Sequence, residues 1–188
     1  MLYVLLTACI PELTTPGGKG SSEEYTPPEN AWPAADSLPE LEGEGFDDGE
    51  LVERQLLPDQ HGQTVDLWQF YGYVWVLDVS TIWCQPCQDL ASELQETADD
   101  YADDDFVYLT VLAENLEGDV PDTEDLAGWA ESWGIENQPI VSDEAGFTST
   151  LTGGQYPLVL VIGRDLRVAG RVTVPDDALV REAIEAEL

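Results

Sequence analysis

The sequence predicts an α/β domain, with helices packed around a central β-sheet, and three observations carry that expectation. Tyr73–Val79, Phe106–Ala113 and Leu158–Ile162 are apolar runs of strand length, rich in Val, Leu and Ile. Between the first two, Leu90, Leu94, Thr97 and Ala98 recur at the three-and-four spacing of a helix. The hydrophobic share of the 188-residue chain is 43%, enough to build a core in one domain.

The elements follow in order. Met1–Ala8 is a short apolar segment ending at Cys9. From Ile10 to about Gly49 the chain holds half of its 12 prolines and ten acidic residues, without apolar periodicity. Pro27-Pro28 and Gly17-Gly18 break regular structure there, so residues 9–49 are expected to form a disordered, charge-extended tether. Trp32 and Phe46 are isolated aromatics within it. The folded domain is expected over residues 50–188.

Leu51–Leu57 and Thr64–Phe70 read as strands joined by the turn Pro58-Asp59-Gln60-His61-Gly62, a hairpin in which His61 is solvated. Tyr73–Val79 is a buried strand interrupted by Asp78. A helix is predicted from Gln85 to about Tyr101, then the strand Phe106–Ala113. Thr123-Glu124-Asp125 opens a helix through Trp133, ended by Gly134. Leu158–Ile162 is the third central strand, and Gly163-Arg164-Asp165 turns the chain into Leu166–Val174. Pro175-Asp176-Asp177 then starts a terminal helix.

Charge excludes whole classes of partner. The chain has 39 Asp and Glu residues against six Lys and Arg, a formal net charge of −33. A protein that neutralises phosphates cannot be built this way, so neither nucleic acid nor an anionic lipid surface is an expected partner. Lys19 is the only lysine, and no Lys or Arg lies between Arg54 and Arg164. Such a surface resembles those of proteins adapted to high salt, where screening weakens self-repulsion. The runs Asp99-Asp100 and Asp103-Asp104-Asp105 read as a helix end and a solvated loop, without the ligand spacing of a calcium site.

The cysteines narrow the chemistry. Three cysteines do not make a structural disulfide framework; a four-cysteine zinc site is excluded within the chain, and the single His61 does not easily complete one. Cys84-Gln85-Pro86-Cys87 opens the first predicted helix. There the free N–H groups and the helix dipole favour a Cys84 thiolate, and Pro86 sits where its missing N–H is not needed. Cys87 follows one turn later.

Asp78, Trp83-Cys84-Gln85-Pro86-Cys87 and, downstream, Tyr156-Pro157 followed by Leu158-Val159-Leu160-Val161 together resemble the thioredoxin-like superfamily, over about residues 50–188. The resemblance is closest to the TlpA-like, membrane-anchored thiol-disulfide oxidoreductases. It implies a thioredoxin fold, a mixed sheet flanked by helices with an N-terminal β-hairpin extension. It implies a catalytic pair in which Cys84 attacks a substrate disulfide and Cys87 resolves the mixed disulfide. By the same resemblance Asp78 is the buried acid that exchanges a proton with Cys87. Trp83 shields the reactive sulfur, and Pro157 is a cis-proline that, with Tyr156, presents the substrate. Substrates would be protein disulfides or dithiols, with electrons from another dithiol protein, and a monomer needs neither cofactor nor metal. Two positions depart from the TlpA-like pattern: Leu90 stands where many relatives carry Glu, and Ser92 replaces a helix-kinking proline.

Leu6-Thr7-Ala8-Cys9 resembles the lipobox of bacterial lipoproteins, although none of the eight residues before Cys9 is basic. It implies a signal segment over 1–8, lipidation of Cys9, and a tether on the extracytoplasmic, periplasmic side of the cell envelope. The acidic surroundings of Cys84 should destabilise its thiolate and hence the reduced form, so the expected direction is that of a reductase. Two other functions remain open. A thiol-dependent peroxidase of related fold would use Thr81-Ile82-Trp83-Cys84, and a copper-binding or delivery module would use the cysteine pair. Such copper modules typically add a distal histidine, and none occurs after His61.

Overall fold

The computed structural model describes residues 25–172 and 174–188. Cys9 and the segment 1–8 therefore lie outside the described residues.

Leu56–Pro58 (β1) and Thr64–Asp66 (β2) pair as an antiparallel hairpin, with Leu57 opposite Val65. Both strands are shorter than the sequence suggests. Asp66 caps a 3-10 turn over Leu67–Phe70, and its reciprocal bond with Gln69 ends the second strand early.

Val74–Ser80 (β3) leads into Gln85–Asp100 (α1), then Phe106–Leu112 (β4) and Thr123–Trp133 (α2). Ile140–Ser142 (β5) and Phe147–Thr152 (α3) follow, and neither is anticipated from the sequence. Leu158–Ile162 (β6), Val168–Val172 (β7) and Asp177–Glu185 (α4) complete the chain. The last strand starts two residues late because Leu166, fully buried with φ +65°, belongs to the turn.

The five-stranded sheet runs β5-β4-β3-β6-β7. Strand β3 is parallel to β4 and antiparallel to β6, so the sheet is mixed. This is a thioredoxin-like fold with a separate N-terminal two-stranded sheet. Alternation along β3 sends Val74 and Val76 to one face, and Trp75, Leu77 and Val79 to the other. The first face packs against α1, α2 and α4, and its core includes both cysteines of the pair. The second is covered by the hairpin, the 3-10 turn, residues from 32 to 52 and the short α3.

Residues 25–49 differ from the free tether expected of them. They contain no helix or extended strand, but they strap onto the domain. Trp32 is buried and its indole donates to the buried Asp59 carboxylate at 2.6 Å, while its ring stacks on His61 at 5.6 Å. Asn30 donates to Gln69, and Tyr25 donates to Asp66, which Arg54 also engages at 2.8 Å. Their composition hides this, because each anchor needs a partner far along the chain.

The strap and hairpin also meet both margins of the main sheet. At β5, Asp59 bridges to Val141 and the Gln60 N–H donates to the Ile140 carbonyl. At β7, Gly49 N–H donates to Val168, and Val168 N–H donates to Glu50.

Candidate active site

Strand β3 delivers the site. Its last residue, Ser80, is followed by Thr81-Ile82-Trp83, and Cys84 then occupies the N-cap of α1. The Cys84 sulfur accepts from the Cys87 backbone N–H at 3.3 Å, so the sulfur lies where the helix N-terminus is most positive. Pro86 falls in the first turn, as its missing donor requires. The two cysteines form a disulfide with Cα atoms 5.3 Å apart. Cys84 retains a little exposure and Cys87 has none, so an incoming group meets Cys84 first.

The bond between Tyr156 and Pro157 is cis. Leu158 pairs with Val79, which sets Pro157 beside the end of β3, where the cysteine loop begins. The Tyr156 ring meets the Trp83 ring edge-on at 6.1 Å. Trp83 is 49% exposed, unusual for so large an indole, and its N–H donates to Glu114 at 3.1 Å. Glu114 also anchors the loop through its carbonyl, which accepts from Ile82. Sequence reasoning missed Glu114, because nothing in an acidic chain distinguishes one glutamate just beyond a strand.

Asp78 lies on the same face of β3 as Val74 and Val76, the face that holds the cysteines. It is buried, and Ser80 Oγ donates to its Oδ1 at 2.7 Å. Its Oδ2 has no partner among the described residues, nor do the buried hydroxyls of Thr110 and Thr81. Thr110 stands directly opposite Asp78 in β4. Burial pushes the Asp78 carboxyl up to about 7, outweighing the Ser80 hydroxyl that favours the carboxylate. A carboxyl that titrates near neutrality on the face of a buried cysteine can accept and return a proton.

All five described arginines are engaged elsewhere. Arg54 bonds Asp66, Arg164 bonds Gly72 and Asp104, Arg167 bonds Gly49, Arg171 bonds Phe46, and Arg181 bonds Asp100 and Asp177. Among the described residues no group of His, Cys, Asp and Glu is arranged to hold a metal. No described helix is long and apolar enough to cross a membrane.

Fold and cysteine pair together define a thioredoxin-like protein with a disulfide at the N-terminus of its first helix. The chain belongs to the AhpC/TSA family, whose pattern matches residues 49–170. A Chlorobium tepidum structure described as a candidate thiol:disulfide interchange protein DsbE is 24% identical with a TM-score of 0.60, covering 76% of this chain and 96% of its own. A thiol:disulfide interchange protein of the thioredoxin family from the same organism superposes with a TM-score of 0.63 at 13% identity, covering 76% and 99%. A thiol:disulfide interchange protein from Bacteroides sp. gives 0.61 at 17%, covering 75% and 90%. A search of curated proteins returns no match.

Proposed function

We propose that the chain is a thiol-disulfide oxidoreductase that reduces protein disulfides through Cys84 and Cys87. The observation that carries this reading is the pair itself, a cysteine with 5% exposure at a helix N-cap bridged to a fully buried one a turn away. In the reduced protein the Cys84 thiolate attacks one sulfur of a substrate disulfide. That bond breaks, a mixed disulfide forms, and one substrate thiolate leaves. Asp78 accepts the Cys87 proton, the Cys87 thiolate attacks the Cys84 sulfur, and the second substrate thiolate leaves. Two electrons have passed to the substrate, and the chain holds the disulfide. A donor dithiol protein reverses these steps to recharge it.

Trp83, Tyr156 and Pro157 form the platform on which the substrate lies. The reducing direction is supported by the commitment of every described arginine elsewhere, which leaves the helix N-terminus as the support for the Cys84 thiolate. Lipidation of Cys9 would hold the monomeric domain on the extracytoplasmic side of the envelope, over a shorter free tether than 9–49. Reduction of insulin disulfides, and trapping of mixed disulfides on Cys87→Ser, test the reading. Failure to reduce any disulfide would overturn it.

Peroxidase activity is the second reading, favoured by the family match and by the buried, unpartnered Thr81 hydroxyl three residues before Cys84. Cys87 and Pro86 suit disulfide exchange better. Peroxide consumption that exceeds insulin reduction would reverse the order.

A further inference from the structure

A groove of about 400 Å³ runs beside the cysteine loop, between α1 and α2. Ile82 and Gln88 form its near wall; Glu124, Asp125, Trp129 and Trp133 line the far one. Ile82 precedes Cys84 by two residues and Gln88 follows Cys87, so the near wall is continuous with the reactive loop. On α2 the spacing of four aligns Asp125, Trp129 and Trp133, and the two indoles meet edge-on at 5.7 Å.

Three features of the far wall point to one kind of occupant. Trp129 is 4% exposed, and its indole N–H has no acceptor among the described residues. The exposed Glu124 carboxylate makes no hydrogen bond among the described residues, whereas Asp125 accepts from Asn115 at 3.1 Å. Every described arginine is bonded elsewhere, so none among the described residues supplies a cation to this wall. Apolar walls with carboxylates at the mouth fit a side chain with a long apolar stem and a cationic head. Indole rings add attraction for that head.

We propose that this groove receives a lysine or arginine side chain lying close to the disulfide of a protein substrate. The head group meets Glu124 and Asp125, and the stem lies along Trp133 and Ile82. The proposal rests on the disulfide-exchange reading above.

The test uses the full chain and synthetic disulfide peptides identical except for one residue beside the cysteine: lysine, norleucine or glutamate. Uncharged bis(2-hydroxyethyl) disulfide reports the exchange chemistry alone. The lysine peptide should be reduced with kcat/KM roughly fivefold above the norleucine peptide, the size expected of one exposed ion pair with an aromatic contact. The glutamate peptide should be slowest, and 1 M salt should shrink the differences. In Glu124→Gln the lysine-to-norleucine ratio should fall towards one. Asp48→Asn removes the same charge from an exposed position on the strap and should preserve that ratio.

Equal rates for the three peptides would overturn the proposal while leaving disulfide exchange standing. So would an equal loss of preference in Asp48→Asn, which would assign it to the overall field. Reaction with none of these disulfides, the small one included, would overturn both readings.

Discussion

The Trp83 indole donates to Glu114 across 3.1 Å, holding a half-exposed aromatic upright against the edge of Tyr156. In Glu114→Ala that tie is lost. Trp83 should gain mobility, read as lower fluorescence anisotropy, and insulin reduction should slow about threefold, the low end of what one net hydrogen bond contributes. The melting temperature should barely move, since the contact is at the surface.

Asp78 makes opposite demands on stability and turnover. Its carboxyl is raised to about 7 in the fold, against an ordinary value of 3.8. The unfolded chain therefore releases this proton first, and stability falls as pH rises from about 4 to about 7. Asp78→Asn removes that cost, so at pH 8 it should be more stable than the parent by a few kcal/mol, with the gain vanishing near pH 4. Turnover should move the other way. The parent rate should climb through about pH 7 as the carboxylate forms, and the variant should lose roughly 10²-fold and that inflection. Equal neutral-pH turnover would remove Asp78 from the mechanism.

The strap gives a separable stability test. Trp32→Ala empties a buried indole site and strips the buried Asp59 of its 2.6 Å donor. A loss of about 3 kcal/mol is expected in denaturant unfolding, with Trp32→Phe losing more than its area suggests because Asp59 still lacks the N–H.

Salt should stabilise the molecule. With a net charge of −33, self-repulsion opposes compaction, and screening relieves it. A rise in melting temperature on the order of 5 °C is expected between 0.05 and 1 M sodium chloride. Arg181→Ala should enlarge that dependence, because the lost guanidinium lies between Asp100 on α1 and Asp177 on α4.

Long elements were legible because their signals are local. Helix α2 occupies the span its capping residues mark, and β3, β4 and β6 follow their apolar runs. Strand β5 has three residues and exists because Ile140 and Ser142 align with Thr110 and Leu112 of β4. Helix α3 has six residues, lies between glycines and lacks a side-chain cap on its N-cap residue, although Asp143 reaches the N–H groups of Phe147 and Thr148. Within the candidate site, Cys84 and Cys87 stood out from their spacing at a helix start, and Asp78, Trp83, Tyr156 and Pro157 through the resemblance to the thioredoxin-like superfamily. Glu114 and the groove of α2 did not, because they come together only when β4 and α2 fold beside the cysteine loop.

The contacts of Asp59 and Gln60 with β5, and of Gly49 and Glu50 with β7, occupy backbone groups that a five-stranded sheet otherwise leaves open at its two margins. Open margins of that kind recruit strands from other molecules. The N-terminal portion thus covers part of both margins. A chain shortened to begin at Val74 should retain the cysteine motif yet precipitate, which scattered light during refolding would show.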